Sequence, residues 1–284
     1  MKDKVHQLPI LRSAYGGLTR SERRIADYIM EHADKIMEQT ISELAANTGS
    51  SEITVSRFCK KLGFSGLQSL KIALAAEISA ADNNLLYQDI CPQDNCETVA
   101  GKVFQNIGDG LQDTLKLLDY AAVEQAVTQL LAARRIAVYG FGNSATVCRD
   151  IETRFLRFGL IVQAYADAHQ QVTSASLLEP GDAVIAVSHT GATLELLETV
   201  RIAKERGVKI VAITSYAQSN LARLADITLN GMGREVHYRS EAAASLLIHM
   251  AITDILYTGI AMRIPQRYRE NIGRMRAVIA EKRV

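Results

Sequence analysis

Residues 182–193 read DAVIAVSHTGAT. The five apolar residues 183–187 make a run too short for a helix, and hydroxyls and a glycine bound it, which is the pattern of a strand buried on both faces. Ser188, His189, Thr190, Gly191, Ala192 and Thr193 follow as a loop with three hydroxyls and one glycine, placed where the next helical pattern (193–206) begins. The same alternation continues on both sides. RIAVYG (135–140), LIVQAYAD (160–167), VKIVAIT (208–214) and DITLN (226–230) are further strand-like runs, and helical patterns over 146–158, 169–177 and 220–224 separate them. Strands alternating with helices predict a five-stranded parallel sheet, doubly wound, with helices on both faces.

A second loop after a strand, Gly140-Phe-Gly142-Asn143-Ser144-Ala145, also opens a helix. In a sheet ordered 2-1-3-4-5 the first and third strands are neighbours at the switch point, so both loops converge on one crevice. Backbone N–H groups with Ser144, Ser188, Thr190 and Thr193 then form a phosphate cradle that needs no arginine. Gly140, Gly142 and Ala145 also fit a GxGxxA dinucleotide fingerprint, with Asp167 at the end of the second strand as the ribose-binding acid. That fingerprint leaves the second hydroxyl cluster without a role. A plainer reading makes these hydroxyls helix caps, which accounts for one or two of them.

Residues 18–78 show helical spacing and no strand-like alternation. LTRSERRIADYIMEHADKI (18–36) places Ile25, Ile29, Ala33 and Ile36 on one face, with Thr19 and Glu22 forming a capping box. In the stretch that follows, Ile41, Leu44 and Ala45 make a short apolar face, Gly49 stops the helix, and Ser51 caps a second one. Val55, Phe58 and Leu62 face its neighbours. A last helix runs from Ser65. Two short helices joined by a glycine-containing turn in an all-α unit are the signature of a helix-turn-helix. On the second helix Glu52, Thr54, Ser56, Arg57, Lys60 and Lys61 face outward, and from 53 to 71 the charged residues are Arg57, Lys60, Lys61 and Lys71. Hydroxyls and an arginine near the start suit base edges, and lysines further along suit phosphates. A solvated basic helix in a small bundle is the alternative.

The chain has 284 residues, 48% hydrophobic and 22% charged. This composition excludes disorder, collagen and a disulfide scaffold, and the length fits two domains. The net charge of +1 hides basic ends and an acidic middle, a pointer to a nucleic-acid-facing segment joined to one that is not. No stretch of about 18 consecutive apolar residues occurs, so no membrane span is expected. The N-terminus MKDKVHQLPI lacks a signal-peptide core, and the chain is read as cytoplasmic. The four cysteines have neither CxxC nor zinc-ligand spacing and are read as structural thiols. The expected divisions are a helix-turn-helix domain over 1–79, a linker over 80–98, the α/β domain with leading helices over 99–265, and a basic amphipathic helix over 266–284.

SEITVSRFCKKLGFSG (51–66) resembles the helix-turn-helix of RpiR/HexR-type bacterial transcriptional regulators, and GFGNSA with SHTGAT is similar to the paired loops of the sugar isomerase (SIS) domain those regulators carry. The resemblance covers nearly the whole chain. It implies a regulator of sugar metabolism that binds operator DNA through Ser51, Thr54, Ser56, Arg57, Lys60 and Lys61 as a homodimer or homotetramer. It further implies a phosphorylated sugar effector held by Asn143, Ser144, Ser188, His189, Thr190 and Thr193. No catalytic residue, metal or cofactor is assigned, and the chain is expected not to be an enzyme. One departure stands out: where many relatives have Ser-Arg before the penultimate helix, this chain has Ser245-Leu246, so a cationic sugar contact is missing or moved to Arg239. A phosphosugar isomerase is the rival reading, with Glu241, His237 and His249 as acid/base candidates that show no clear pairing. An NAD-dependent enzyme is a third. The terminal helix carries an apolar stripe, Tyr268, Ile272, Met275 and Ile279, that packs on a second copy or on its own domain.

Overall fold

Parallel strands at the centre of a domain need apolar side chains on both faces. Residues 183–187 supply them. In the computed structural model, which describes residues 11, 14–37, 39–71, 73–74, 90–233 and 243–282, they form β3 (Ala183–Ser188), buried along its whole length. The sheet also contains β1 (Ile136–Tyr139), β2 (Val162–Tyr165), β4 (Lys209–Thr214) and β5 (Ile227–Asn230), all parallel, in the order β2-β1-β3-β4-β5. The period-two alternation divides its apolar residues cleanly. Ile136, Val138, Ala183, Ile185, Val187, Val211 and Ile213 pack against α6 (Tyr120–Ala132), α7 (Asn143–Phe155) and α11 (Ala243–Arg263). Tyr139, Val184, Ala186, Ile210 and Ala212 pack against α8 (Ala168–Ser176), α9 (Leu194–Glu205) and α10 (Asn220–Leu224). Helix α7 starts three residues before the expected 146 and ends in a 3-10 turn, Leu156–Phe158. Below the sheet Asp182 is buried and takes hydrogen bonds from Arg134, Arg135 and the Glu179 N–H. Burial raises its pKa, but those three donors outweigh it and hold the carboxyl below the usual range.

The preceding helices are α1 (Arg20–Glu31), α2 (Ala33–Ile36), α3 (Ile41–Asn47), α4 (Glu52–Lys61) and, ahead of α6, α5 (Cys96–Leu117), with further helical residues at 67–71 and 73–74. The single helix expected over 18–36 breaks at His32, whose backbone leaves the helical region (φ −129°, ψ 35°); Ile25, Ile29 and Ile36 are buried on both sides of the break. Thr19 with Glu22 and Thr40 with Glu43 close complete capping boxes. After α3, Gly49 takes φ +58°, its N–H bonds Ala46 O and the Ser50 N–H bonds Ala45 O. That is a full Schellman stop, for which glycine is suited because an L side chain strains at this φ. Val55, Phe58 and Cys59 are buried with Ile25, Ile29, Leu44 and Leu70, whereas Leu62 is half-buried at the C-cap of α4. Burying Phe58 alone is worth about 2–3 kcal/mol.

The chain divides into two units, Met1–Lys102 and Val103–Val284. Helix α5 begins at Cys96, inside the stretch expected as linker, because Cys96–Leu117 is one continuous helical run. Most of the expected linker, like residues 1–10, lies outside the described residues. Cys59 and Cys148 are buried, and burial pushes the Cys59 thiol up to about 11. Cys91 is only half-buried and Cys96 is exposed at the start of α5, so these two are not the small buried hydrophobes expected. Helix α11 is long and apolar enough to cross a bilayer by composition, yet Ile252, Leu256 and Ile260 pack it into the sheet's core. The last helix, α12 (Pro265–Ala280), splits its apolar stripe. Tyr268 packs on Phe158 and Tyr257 of its own domain, while Ile279 is exposed.

Candidate functional site

Register brings the two loops together. Tyr139 pairs with Ala186, so Gly140 leaves β1 beside Val187 and Ser188 at the end of β3. A Cβ at Gly140 would lie 2.7 Å from Cys148 Sγ and 3.0 Å from Val187 O; the chain passes there only as glycine. From this point α7 and α9 both start at the carboxyl edge of the sheet, on opposite faces. Their starts differ from the side-chain-capped starts of other helices, though the four-residue α2 also lacks such a cap. Side-chain oxygens of Thr19, Thr40, Ser51, Asp119, Asp167 and Ser219 cap α1, α3, α4, α6, α8 and α10, and α12 begins at Pro265, which has no N–H to satisfy. Helix α7 begins at Gly142 (φ +54°) and α9 at Thr193, and neither has a side-chain cap. Uncapped first-turn N–H groups carry the positive end of the helix dipole and attract an anion.

Each expected effector residue has a defined place on these loops. Asn143 is the exposed first residue of α7, and Ser144, half-buried, follows it. Ser188 Oγ accepts the Gly191 N–H (3.0 Å) and Thr190 Oγ1 accepts the Ala192 N–H (3.3 Å), shaping the tight turn. Thr193 is half-buried and caps nothing. The cap explanation therefore serves Ser188 and Thr190 as turn acceptors and fails for Thr193. Asp167, the candidate ribose acid, accepts the Gln170 N–H as the cap of α8.

The sequence pattern missed a third loop. Gly191 sits at φ +60°, where a Cβ would lie 2.2 Å from Ser219 Oγ and 3.0 Å from Thr214 Oγ1. The stretch SYAQS after β4 is thus packed under the second loop, and the criterion of hydroxyls between strand and helix would have found it. Ser215 Oγ donates to Gly231 O (2.9 Å) and lies 2.9 Å from His189 Nδ1 and 3.2 Å from His249 Nε2. His249 Nε2 is also 3.1 Å from the Gly231 carbonyl, which can only accept, so this nitrogen carries the proton. Because the Ser215 proton is given to Gly231, His189 Nδ1 donates to Ser215 in turn, and this fixes its ring, which Tyr216 meets edge-on. Burial, reinforced by the nearby His189, lowers the His249 pKa to about 4. His249 is thus a neutral core residue at neutral pH. The other acid/base candidates, His237 and Glu241, lie outside the described residues, as does Arg239. Leu246 lies in the first turn of α11, not before it, and packs on the core. Among the described residues no cluster of three or more potential metal ligands occurs.

On α4, Ser51 caps the helix through the Thr54 N–H (3.2 Å), and its hydroxyl meets Thr54 Oγ1 at 2.9 Å. Arg57 and Lys60 are exposed and Ser56 is half-buried. Lys61 differs from its expected outward role: its ammonium donates to Gly17 O (2.8 Å) and pairs with Glu22 (2.7 Å), which ties α4 to the start of α1.

Both units match known families. The model of the rpiR-family helix-turn-helix domain matches residues 5–81, and that of the SIS domain matches residues 129–254. The HTH-type transcriptional regulator YbbH of Bacillus subtilis (strain 168) is 34% identical over 278 residues, 98% of each chain. The bifunctional protein glk of Paraburkholderia xenovorans (strain LB400) is 34% identical over 253 residues, 89% of this chain and 39% of that longer protein. The Vibrio vulnificus NanR protein, solved in complex with ManNAc-6P, has a TM-score of 0.63 and 28% identity, covering 98% of this chain and 100% of that one. With both domains matched in order and a relative matched end to end, this chain belongs to the rpiR family of helix-turn-helix transcriptional regulators, DNA-binding proteins that here carry a SIS domain.

Proposed function

We propose that a phosphorylated sugar binds in the crevice between loops 140–145 and 188–193 and sets the affinity of the helix-turn-helix for its operator. The pair of uncapped helix starts at the switch point carries this reading. Two dipole ends aim backbone N–H groups at one place, and Ser144, Thr190 and Thr193 add hydroxyls to the same rim, with Asn143, Ser188 and His189 completing it. The loops offer anion-directed donors and little apolar surface, so the phosphate supplies the affinity and the sugar the selectivity. The NanR relative holds ManNAc-6P, which makes that compound the first to test. The role is recognition without turnover: His249 is buried and held by Gly231, and a bound sugar phosphate is expected to be recovered unchanged.

On the DNA side, Arg57 and Ser56 read base edges with Thr54, Lys60 meets phosphate, and Ser51 and Lys61 hold the helix in place. The working form is a homodimer or homotetramer. Two half-sites require two copies of α4, and α5 presents Phe104, 79% exposed, with Leu111 and Leu115 on its surface.

Calorimetry against a panel of hexose, pentose and amino-sugar phosphates tests the effector, each beside its unphosphorylated sugar. Heat is expected only with the phosphate esters, together with a change in operator affinity of about 1–3 kcal/mol. The Ser188→Ala/Thr193→Ala variant should lose both responses and keep ligand-free DNA binding. No heat and no change in operator affinity for any panel member would overturn the reading.

A further inference from the structure

Helix α4 carries an apolar residue where its fold has no use for one. Ile53 is 66% exposed, while Val55, Phe58 and Cys59 on the opposite side are buried. At 100° per residue, Ile53, Arg57 and Lys60 fall at i, i+4 and i+7, on one face about 10 Å long. Isoleucine therefore stands at the N-terminal end of a basic outward stripe. Neighbouring groups are already occupied. Glu52, the one acid of this helix, accepts from Ser42 Oγ on α3, and the Thr54 hydroxyl is paired with Ser51. What the first two turns of α4 still offer outward is the Ile53 side chain, Ser56 and Arg57. A basic face complements DNA, and the N-terminal turns of such a helix are the part that enters the major groove. The apolar feature available there is the 5-methyl group of thymine.

We propose that Ile53 reads one thymine in each operator half-site by packing against its 5-methyl group. This rests on the reading of α4 as the helix that contacts DNA. It adds a selectivity that hydrogen-bonding residues do not provide, since it distinguishes thymine from cytosine and from deoxyuridine by a methyl group.

The test begins with duplexes recovered by the full-length protein from a randomised pool. Each thymine of the preferred site is then replaced in turn by deoxyuridine, and affinities are measured for the wild type, Ile53→Val and Ile53→Ala. Because Ile53 is exposed, both variants should keep the wild-type melting profile. At one thymine per half-site the wild type should lose about fourfold on removal of the methyl, the transfer value of one buried methyl group. Ile53→Ala should bind the two duplexes equally, and Ile53→Val should keep part of the discrimination. Equal losses in wild type and Ile53→Ala at every position, or no loss anywhere, would overturn the proposal while leaving DNA recognition by α4 intact. Failure to recover any preferred duplex would instead remove the DNA reading and this proposal with it.

Discussion

The helix starts of the N-terminal unit and those at the switch point of the α/β sheet differ, although α6, α8 and α10 elsewhere in the α/β unit are capped and the short α2 is not. In the N-terminal unit α1, α3 and α4 are each sealed by their own Thr or Ser, two of them through complete capping boxes. In the α/β unit α7 and α9 start on Gly142 and Thr193 with no side-chain cap, and they do so beside each other. A side-chain cap satisfies backbone donors and stabilises the fold; at α7 the Ser144 and Ala145 N–H groups are held only by the Phe141 and Gly142 carbonyls (3.0 Å each). On the proposed reading, the helix-turn-helix unit acts through side chains that point away from its core, such as Arg57 and Lys60. The α/β unit, on the same reading, acts through the backbone and hydroxyls of the two starts that no side chain caps.

The strongest way to break this contrast is to fill the turn that holds the second loop. Gly191→Ala puts a Cβ against the buried Ser219 at φ +60°, which should cost about 2–4 kcal/mol from overpacking and left-handed strain together. Gly142→Ala meets nothing within 4 Å and bears only the strain of its backbone (φ 54°, ψ −128°), so about 1–2 kcal/mol, without overpacking, is expected there. Urea unfolding of the two variants checks the difference. Equal losses would mean that the second loop is not rigidly seated on the third.

A pH titration probes the same seat. His249 has a folded pKa of about 4 against an ordinary 6.5, lowered by burial and by His189. Between those values the unfolded chain binds more protons than the folded one. The contribution is therefore fully present above about pH 6.5 and is lost as the pH falls towards 4, by about 3 kcal/mol in all. His249→Gln should flatten the slope of unfolding free energy between pH 4 and 6.5. An unchanged slope would show that His249 is not the proton acceptor.

The five strands are legible in the sequence because their length and flanking turns set them apart, whereas the order 2-1-3-4-5 enters as an assumed doubly wound order that the strand pairing bears out. The sequence also showed the two loops, because hydroxyls and glycine crowd between a strand and a helix. The third loop was less visible: Ser215 and Ser219 matter through contacts with His189 and Gly191, more than 20 residues away, and helical or strand periodicity carries no such information. Lys61 shows a similar limit. Its spacing on α4 is read as outward, yet the side chain is half-buried, because whether an ammonium there meets solvent or Glu22 depends on where α1 lies. Lys61→Ala should accordingly lower stability by about 1 kcal/mol, since it takes the ion-pair partner from a partly buried Glu22 that keeps its hydrogen bond from the Thr19 N–H. Lys60→Ala should change stability by less than about 0.5 kcal/mol and instead reduce the salt dependence of DNA binding. Denaturation paired with salt-dependent binding separates the two lysines, and the opposite pattern would return Lys61 to the DNA face.

The smallest expected effect bears most directly on the contrast between capped and uncapped starts. Thr40→Ala removes a capping-box hydroxyl and should cost about 1 kcal/mol. Thr193→Ala removes a hydroxyl at the same nominal position of α9, but that hydroxyl caps nothing, so its cost should stay below about 0.5 kcal/mol. Hydrogen exchange resolved helix by helix measures each loss in its own unit, with faster exchange expected at the start of α3 in the first variant and little change at α9 in the second. The order reverses when a sugar phosphate is added. Wild type and Thr40→Ala should both gain protection at the first turns of α7 and α9, because an anion there occupies the N–H groups that no side chain holds, and Thr193→Ala should gain much less. If Thr193→Ala instead loses as much as Thr40→Ala without ligand, then Thr193 is an ordinary cap, and the difference between the two units is one of sequence and not of purpose.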